Sequence, residues 1–223
     1  PWSLPEVSRV VRPYGGVIVL GVDSAKDALN LRQARLARAE SPEWRIESSP
    51  GGVKTLRRGA PSGAGAWTTL YADSGNTSCS HDAVAAPFSI QWFGEPGPRE
   101  MVDRHHRPMS SLFAEGRLFI PGEGRVIAAD AYNGVTLWTV EIPGPPRVGA
   151  PRSNGHMITD GAGVFVAHND ACWRLDARTG DRLAEYRAPR PSDEEVEWGY
   201  VQRHKDLLLG STQQPGGAVT GRR

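Results

Sequence analysis

Two stretches of this chain superpose without a gap at an offset of 46 residues (176 − 130 = 46), and that repeat restricts the fold more than any other feature. The first runs from Leu118 through Asp130 and Gly134 to Trp138, the second from Val164 through Asp176 and Gly180 to Ala184. Self-similarity at about 40 to 50 residues marks a small sheet unit that cannot bury its own apolar faces and must stack on its neighbours. Within each unit the order of residue types predicts short strands joined by tight turns. Leu118 to Ile120 and Val164 to Val166 are apolar strands, and the polar stretches 122–125 and 168–170 turn the chain into a second strand. An Asp-Ala-Xaa-Xaa-Gly turn follows. Its Asp side chain accepts backbone amides and its Gly takes positive φ. A last strand leaves through 137–142 or 183–187, and Met157-Ile158 supplies one further strand to the second unit. Trp198 to Val201 and Asp206 to Ser211 open a third.

The 26 Gly and 18 Pro among 223 residues are spread as single turn-formers, which fits many short elements better than disorder. The first 60 residues follow a different pattern. Val7 to Val11 alternates weakly and runs into a turn at Arg12 to Gly16. The apolar run Val17 to Val22 predicts a strand buried on both faces. Asp23 or Ser24 caps a helix over Ala25 to Ala39, and Trp44 to Ser48 with Val53 to Arg57 reads as a hairpin. Residues 60–66 form a linker, and beyond it the pattern is all-β.

Asp130, Gly134 and Trp138 at this spacing resemble the tryptophan-docking repeat of the pyrroloquinoline quinone (PQQ)-like β-propeller family, which is quinoprotein alcohol dehydrogenase-like. The resemblance covers roughly residues 67–211. It implies four-stranded blades tied together by a Trp packed between neighbours, with Asp130, Gly134, Asp176 and Gly180 as repeat-structural residues. Ala184 stands where the second unit should carry its Trp, and Trp92 reads as the end of an earlier blade. Separately, Arg9-Val-Val-Arg-Pro-Tyr-Gly-Gly and the strand after it resemble the region before the fifth strand of class I S-adenosylmethionine (SAM)-dependent methyltransferases, which also finish with a helix and an antiparallel hairpin. Tyr14 interrupts the usual Pro-Gly-Gly, and the Gly-rich turn and acidic residue that hold SAM in such a domain would lie upstream. The expected fold class is therefore mainly β. Residues 1–59 are the C-terminal part of a methyltransferase-like α/β domain and residues 67–223 the first blades of a partial quinoprotein-like propeller. The chain reads as a fragment that continues in both directions.

The densest polar cluster is 101–109. Asp103, His105 and His106 are metal-ligand candidates, and Arg104 with Arg107 are anion candidates, against the alternative of a solvated loop. Asn76-Thr77-Ser78 fits a glycosylation pattern but reads better as an Asx turn. Residues 168–170 read as a β-turn, and 193–197 as a solvated acidic run. Trp138, Trp173 and Trp198 read as packing residues rather than a floor for a quinone. Cys79 and Cys172 either pair or sit as buried thiols, with the buried-thiol reading preferred. Quinone dehydrogenases often carry neighbouring cysteines, a pair not found here.

A formal net charge of +1 argues against a nucleic-acid partner recruited by bulk charge, and no apolar run approaches a bilayer span. The expected function is a binding or scaffold module, with a protein or small-molecule ligand on the propeller face and no catalytic residue assigned. The alternatives are a PQQ-dependent dehydrogenase whose active site lies in further blades, and a SAM-dependent methyltransferase fused to a propeller. PQQ or SAM would then belong to the longer protein. Methyl transfer implies the cytoplasm and such propellers the periplasm, so the compartment stays open.

Overall fold

The computed structural model describes residues 4–21, 32, 34–35, 41–48, 53–94, 100–101, 109–144, 155–190 and 193–215. It separates into two compact units, residues 1–64 and 65–223.

The first unit holds α1 (Leu4–Val10), β1 (Val17–Gly21), β2 (Trp44–Ser48) and β3 (Lys54–Arg58). Its sheet order is β1-β3-β2, and β3 runs antiparallel to both neighbours. Val7 to Val11 is helical rather than alternating. Val7 and Val11, four residues apart, fall on one helix face and pack against the core of Leu20, Trp44 and Leu56. Arg58 holds the helix end: its Nη1 donates to the Ser8 carbonyl (2.5 Å) and the Val11 carbonyl (2.6 Å), and its Nε to Glu43 (2.9 Å). Carbonyls that a helix leaves unsatisfied at its C-terminus thus find a cation. Burial of β1 on both faces does not hold among the described residues: Ile18 and Leu20 enter the core while Val17 and Val19 are exposed. A sheet packed on one side buries only alternate residues. Of the helix expected over 25–39, Arg32, Ala34 and Arg35 are described and helical, with Ala34 buried.

The second unit is built from antiparallel strands. The first meander contains β4 (Leu112–Ala114), β5 (Arg117–Gly122), β6 (Arg125–Asp130) and β7 (Thr136–Glu141). The second contains β8 (Met157–Thr159), β9 (Gly163–His168), β10 (Ala171–Asp176) and β11 (Arg182–Arg187). The bounds of β5, β6 and β7 recur in β9, β10 and β11 after 46 residues (163 − 117, 171 − 125, 182 − 136). A hairpin, β12 (Glu197–His204) with β13 (Leu207–Gln213), follows. β4 was not foreseen, because three residues carry too little alternation to reveal a strand.

One apolar core takes Leu112, Phe119, Ala128 and Trp138 from the first meander and Met157, Val164, Val166 and Leu175 from the second. A second core sets Phe165 and Cys172 of the second meander against Trp198 and Val201 of β12. Each meander thus packs on the element that follows it. A fully buried Phe, Leu or Val there contributes about 1.5–3 kcal/mol.

Candidate functional site

The two Asp-x-x-x-Gly turns share one geometry. In the first, the Asp130 carboxylate accepts the Tyr132 amide (2.9 Å) and the Gly134 amide donates to the Asp130 carbonyl (2.8 Å), with Gly134 at φ +75°. In the second, Asp176 accepts the amides of Arg178 (2.8 Å) and Thr179 (2.9 Å), and Gly180 adopts φ +80°. These two amide bonds hold the Asp176 carboxyl below its usual range. A Trp lies on each turn. Trp138 Nε1 donates to the Ala177 carbonyl (3.2 Å) and its ring covers Gly180, where an added Cβ would come within 2.9 Å of it. Trp92 Nε1 donates to the Ala131 carbonyl (2.9 Å) and covers Gly134 in the same way, with an added Cβ at 2.5 Å. Glycine is needed at both places, for its φ and for the ring above it.

A lead-in segment, residues 66–82, runs along the first strands of the meanders. Trp67 exchanges two backbone bonds with Phe113 of β4 (both 2.8 Å), and the Thr68 carbonyl accepts the Thr159 amide at the end of β8 (2.9 Å). Farther on, Asn76 accepts the Tyr200 hydroxyl of β12 (3.4 Å). Where the segment meets the β8–β9 and β12–β13 turns it leaves an open cleft of about 440 Å³, lined by Thr68, Thr69, Asp73, Thr159, Asp160, Gln202, Arg203 and Lys205 among others.

The charged groups of the cleft are mostly engaged. Asp160 accepts the amides of Ala162 (3.0 Å) and Gly163 (2.6 Å) and pairs with Arg203, whose guanidinium also lies over Phe165 at 5.3 Å from the ring centre. Asp73 accepts the Thr77 hydroxyl (2.6 Å), the amides of Thr77 (3.1 Å) and Gly75 (2.9 Å), and His81 Nε2 lies 3.1 Å away. Led by the Thr77 hydroxyl, these bonds hold the Asp73 carboxyl down to about 2. Gln202 Nε2 donates to the Tyr200 hydroxyl (3.1 Å). The hydroxyls of Thr68, Thr69 and Thr159 donate to the carbonyls of Ala72, Asp73 and Gly163, and Gln202 Oε1 accepts the Arg203 amide, so the cleft presents hydroxyl lone pairs, the second Gln202 amide proton and the Lys205 ammonium to a polar ligand.

The sequence missed most of this cleft. Thr77 lies in the 76–78 segment that reads as an Asx turn, but the turn is made by the Asp73 carboxylate, three residues earlier, rather than by Asn76. Asp160, Gln202 and Arg203 carry no local signal, since they meet only through the stacking of sheets. Asp103, Arg104, His105, His106 and Arg107 lie outside the described residues. Cys79 is exposed and Cys172 buried beside Phe165 and Trp198, so the two form no bridge and only one of them is a buried thiol. Residues 169–170 turn β9 into β10, with Asn169 at φ +45°. Asp170 stays ionised: burial opposes its charge, but Arg187 and Arg190 outweigh that and lower its pKa. Trp173 is sandwiched by its partners, with Nε1 on Glu185 (3.0 Å), the Arg182 guanidinium over its ring (4.8 Å) and the His168 edge at 4.5 Å. Asp193, Glu194 and Glu195 are exposed. Among the described residues, no helix is long and apolar enough to cross a membrane.

No family model matches the sequence, and no curated protein does either. Solved structures do. BamB from Moraxella catarrhalis is similar at 15% identity and TM-score 0.37, over 50% of this chain and 32% of its own. The quinohemoprotein alcohol dehydrogenase ADHIIG from Pseudomonas putida HK5 is similar at 14% identity and TM-score 0.48, over 67% and 23%. A europium-containing methanol dehydrogenase is similar at 13% identity and TM-score 0.43, over 67% and 28%. The chain spans about a quarter to a third of the length of these structures. The class of structure present here is mainly β, with antiparallel four-stranded meanders stacked through shared cores.

Proposed function

We propose that residues 65–223 are blades of a PQQ-like β-propeller that serves as a binding or scaffold module, without redox chemistry of its own. The paired Trp-on-Gly turns support the propeller and its tryptophan-docking repeat. One observation carries the binding role: the carboxylates of the cleft are committed to the fold, Asp160 to two amides and Arg203, and Asp73 to Thr77, Gly75 and His81. The groups left to bond a ligand are hydroxyl lone pairs, one Gln202 amide proton and the Lys205 ammonium, beside an Asp73 that keeps its charge. The site thus recognises hydroxyl-rich or anionic groups on a small molecule or a partner protein.

The test is ligand-detected NMR with glycerol, glucose and a short acidic peptide as probes, repeated on Gln202→Ala and Lys205→Ala chains. Binding by the parent and its loss in both variants is the expected result. In parallel, the purified protein is mixed with PQQ and calcium and assayed for dye-linked alcohol oxidation. Retention of one quinone per chain with dye reduction would overturn the reading in favour of a dehydrogenase.

For residues 1–59, the sheet order β1-β3-β2 favours the methyltransferase-like reading, because a hairpin folding its last strand back against β1 is how the resembled domain ends. On that reading, calorimetric SAM binding requires polypeptide upstream of Pro1, and SAM bound by the 223-residue chain itself would contradict it.

A further inference from the structure

Two exchanges in one cross-strand row set the second meander apart from the first. In the first meander Phe119, Ala128 and Trp138 stand side by side across β5, β6 and β7. After 46 residues the same row reads Phe165, Arg174 and Ala184 (165 − 119, 174 − 128, 184 − 138). The large side chain has moved from the outermost strand to its neighbour. Trp138 lies 6.0 Å from Phe119, centre to centre, and the Arg174 guanidinium lies 5.7 Å from the centre of Phe165. A guanidinium thus stands by the second Phe where an indole stands by the first.

Arg174 shares the face of Phe165 and Cys172, the face on which β12 packs. Trp198 clasps that face at one end, through its amide on the Asn169 carbonyl (2.7 Å) and its Nε1 on the Tyr186 carbonyl (3.1 Å). Arg174 serves the other end. Its Nε lies 3.1 Å from where a Cβ on Gly163 would stand, and Gly163 pairs with Asp176, where the Asp-x-x-x-Gly turn begins. Among the described residues the Arg174 Nε is buried and has no acceptor, and no acid pairs with the guanidinium. Arg203 lies over the same ring at 5.3 Å but has Asp160 and the Lys205 carbonyl (2.7 Å) as partners. A buried cation left without a partner is costly, and a second cation beside it adds to the cost.

We infer that Arg174 replaces the missing Trp as the forward clasp of the second meander. The turn that receives it is the Asp-x-x-x-Gly turn of the sheet begun by β12 and β13, through the carbonyl after its Asp and an acidic side chain of the same turn. This rests on the propeller reading above, which puts that turn in the chain after Pro215, outside the described residues. Trp92 and Trp138 each send one N–H to the carbonyl after the Asp of a neighbouring turn. A guanidinium carries a fork of donors and a charge, so it fits a carbonyl and a carboxylate together. The outer part of the face is open to such a turn: Tyr186 is 38% exposed, whereas Val140, its counterpart 46 residues earlier, packs against the first core.

The test is hydrogen exchange of the β9, β10 and β11 amides in the complete gene product and in the 223-residue chain. Arg174→Ala should speed exchange about 10- to 100-fold in the complete product and less than about threefold in the 223-residue chain, which lacks the turn. Adding Ala184→Trp to Arg174→Ala should recover most of the protection in the complete product, and Arg174→Lys should not. Equal loss in both chains limits Arg174 to its contact with Phe165 and overturns the inference. Phosphate that slows exchange in the 223-residue chain but not in its Arg174→Ala variant assigns the site to a free anion and overturns it too. Trp138→Ala is measured alongside. Loss of protection there with none at Arg174 in the complete product sinks the inference alone, and no loss at either site sinks the propeller reading with it.

Discussion

The two meanders share their strand bounds and turn geometry, yet they fasten to their next neighbour by opposite devices. β7 sends Trp138 forward onto the Ala177–Gly180 turn of the second meander. β11 carries Ala184 at the equivalent position, and most of its residues are exposed. There the clasp comes from the other side: Trp198 of β12 reaches back, and its Nε1 donates to the Tyr186 carbonyl of β11 (3.1 Å) while its ring enters the core with Phe165 and Cys172. The difference teaches that the repeat specifies the meander but not the junction. A junction needs one large ring with one satisfied N–H, and either partner can supply it.

The largest effect expected is on that comparison itself. Trp138→Ala removes a buried ring and its hydrogen bond and should cost about 3–5 kcal/mol in urea unfolding of residues 65–223. Trp198→Ala should cost a similar amount. A loss under about 1 kcal/mol at either site would show that its ring is not what joins the sheets. A smaller effect sharpens the account of the forward clasp. Gly180→Ala strains a residue at φ +80° and presses a methyl on Trp138, for about 1–3 kcal/mol. In a Trp138→Ala background part of that penalty should vanish, and strict additivity would mean that the turn and the ring act independently.

The smallest effect concerns the lead-in segment. The Asp73 carboxyl is lowered in the folded chain to about 2, so its bonds stabilise the 73–81 turn fully above the ordinary carboxylate range near pH 4. That contribution is lost as the pH falls through about 2. Chemical shifts of the Gly75 and Thr77 amides should move within that window in the parent and not in Asp73→Asn. Movement confined to higher pH would assign the loosening to other groups.

The repeat was legible because strand alternation, the Asp and Gly of the turn, and the docked Trp are all local or fixed by spacing. From them alone followed β5 to β7, β9 to β11 and the start of the third unit. The helical state of Val7 to Val11 was not legible, since its apolar pair fits two periods and Arg58, fifty residues on, decides between them by holding the Ser8 carbonyl. The cleft was hidden for the same reason at longer range. Asp160 and Arg203 are 43 residues apart and meet only after the second meander and β12 have packed. Trp198 packs in a core, as its aromatic character implies, but nothing in its local sequence tells which sheet it serves.

The lead-in segment also has a meaning in time. During synthesis Trp67 emerges 46 residues before its partner Phe113, Thr68 emerges 91 before Thr159, and Asn76 emerges 124 before Tyr200. Each partner belongs to a later sheet, so the segment docks in steps as three successive units take shape. Contacts of such long sequence separation are formed slowly. They also make the last steps mutually dependent: a chain stalled before β8 leaves this segment half docked, and one stalled before β12 leaves the 73–81 turn without its tether. The complete set of contacts made by the segment therefore exists only once the three units that follow it in the chain have been assembled.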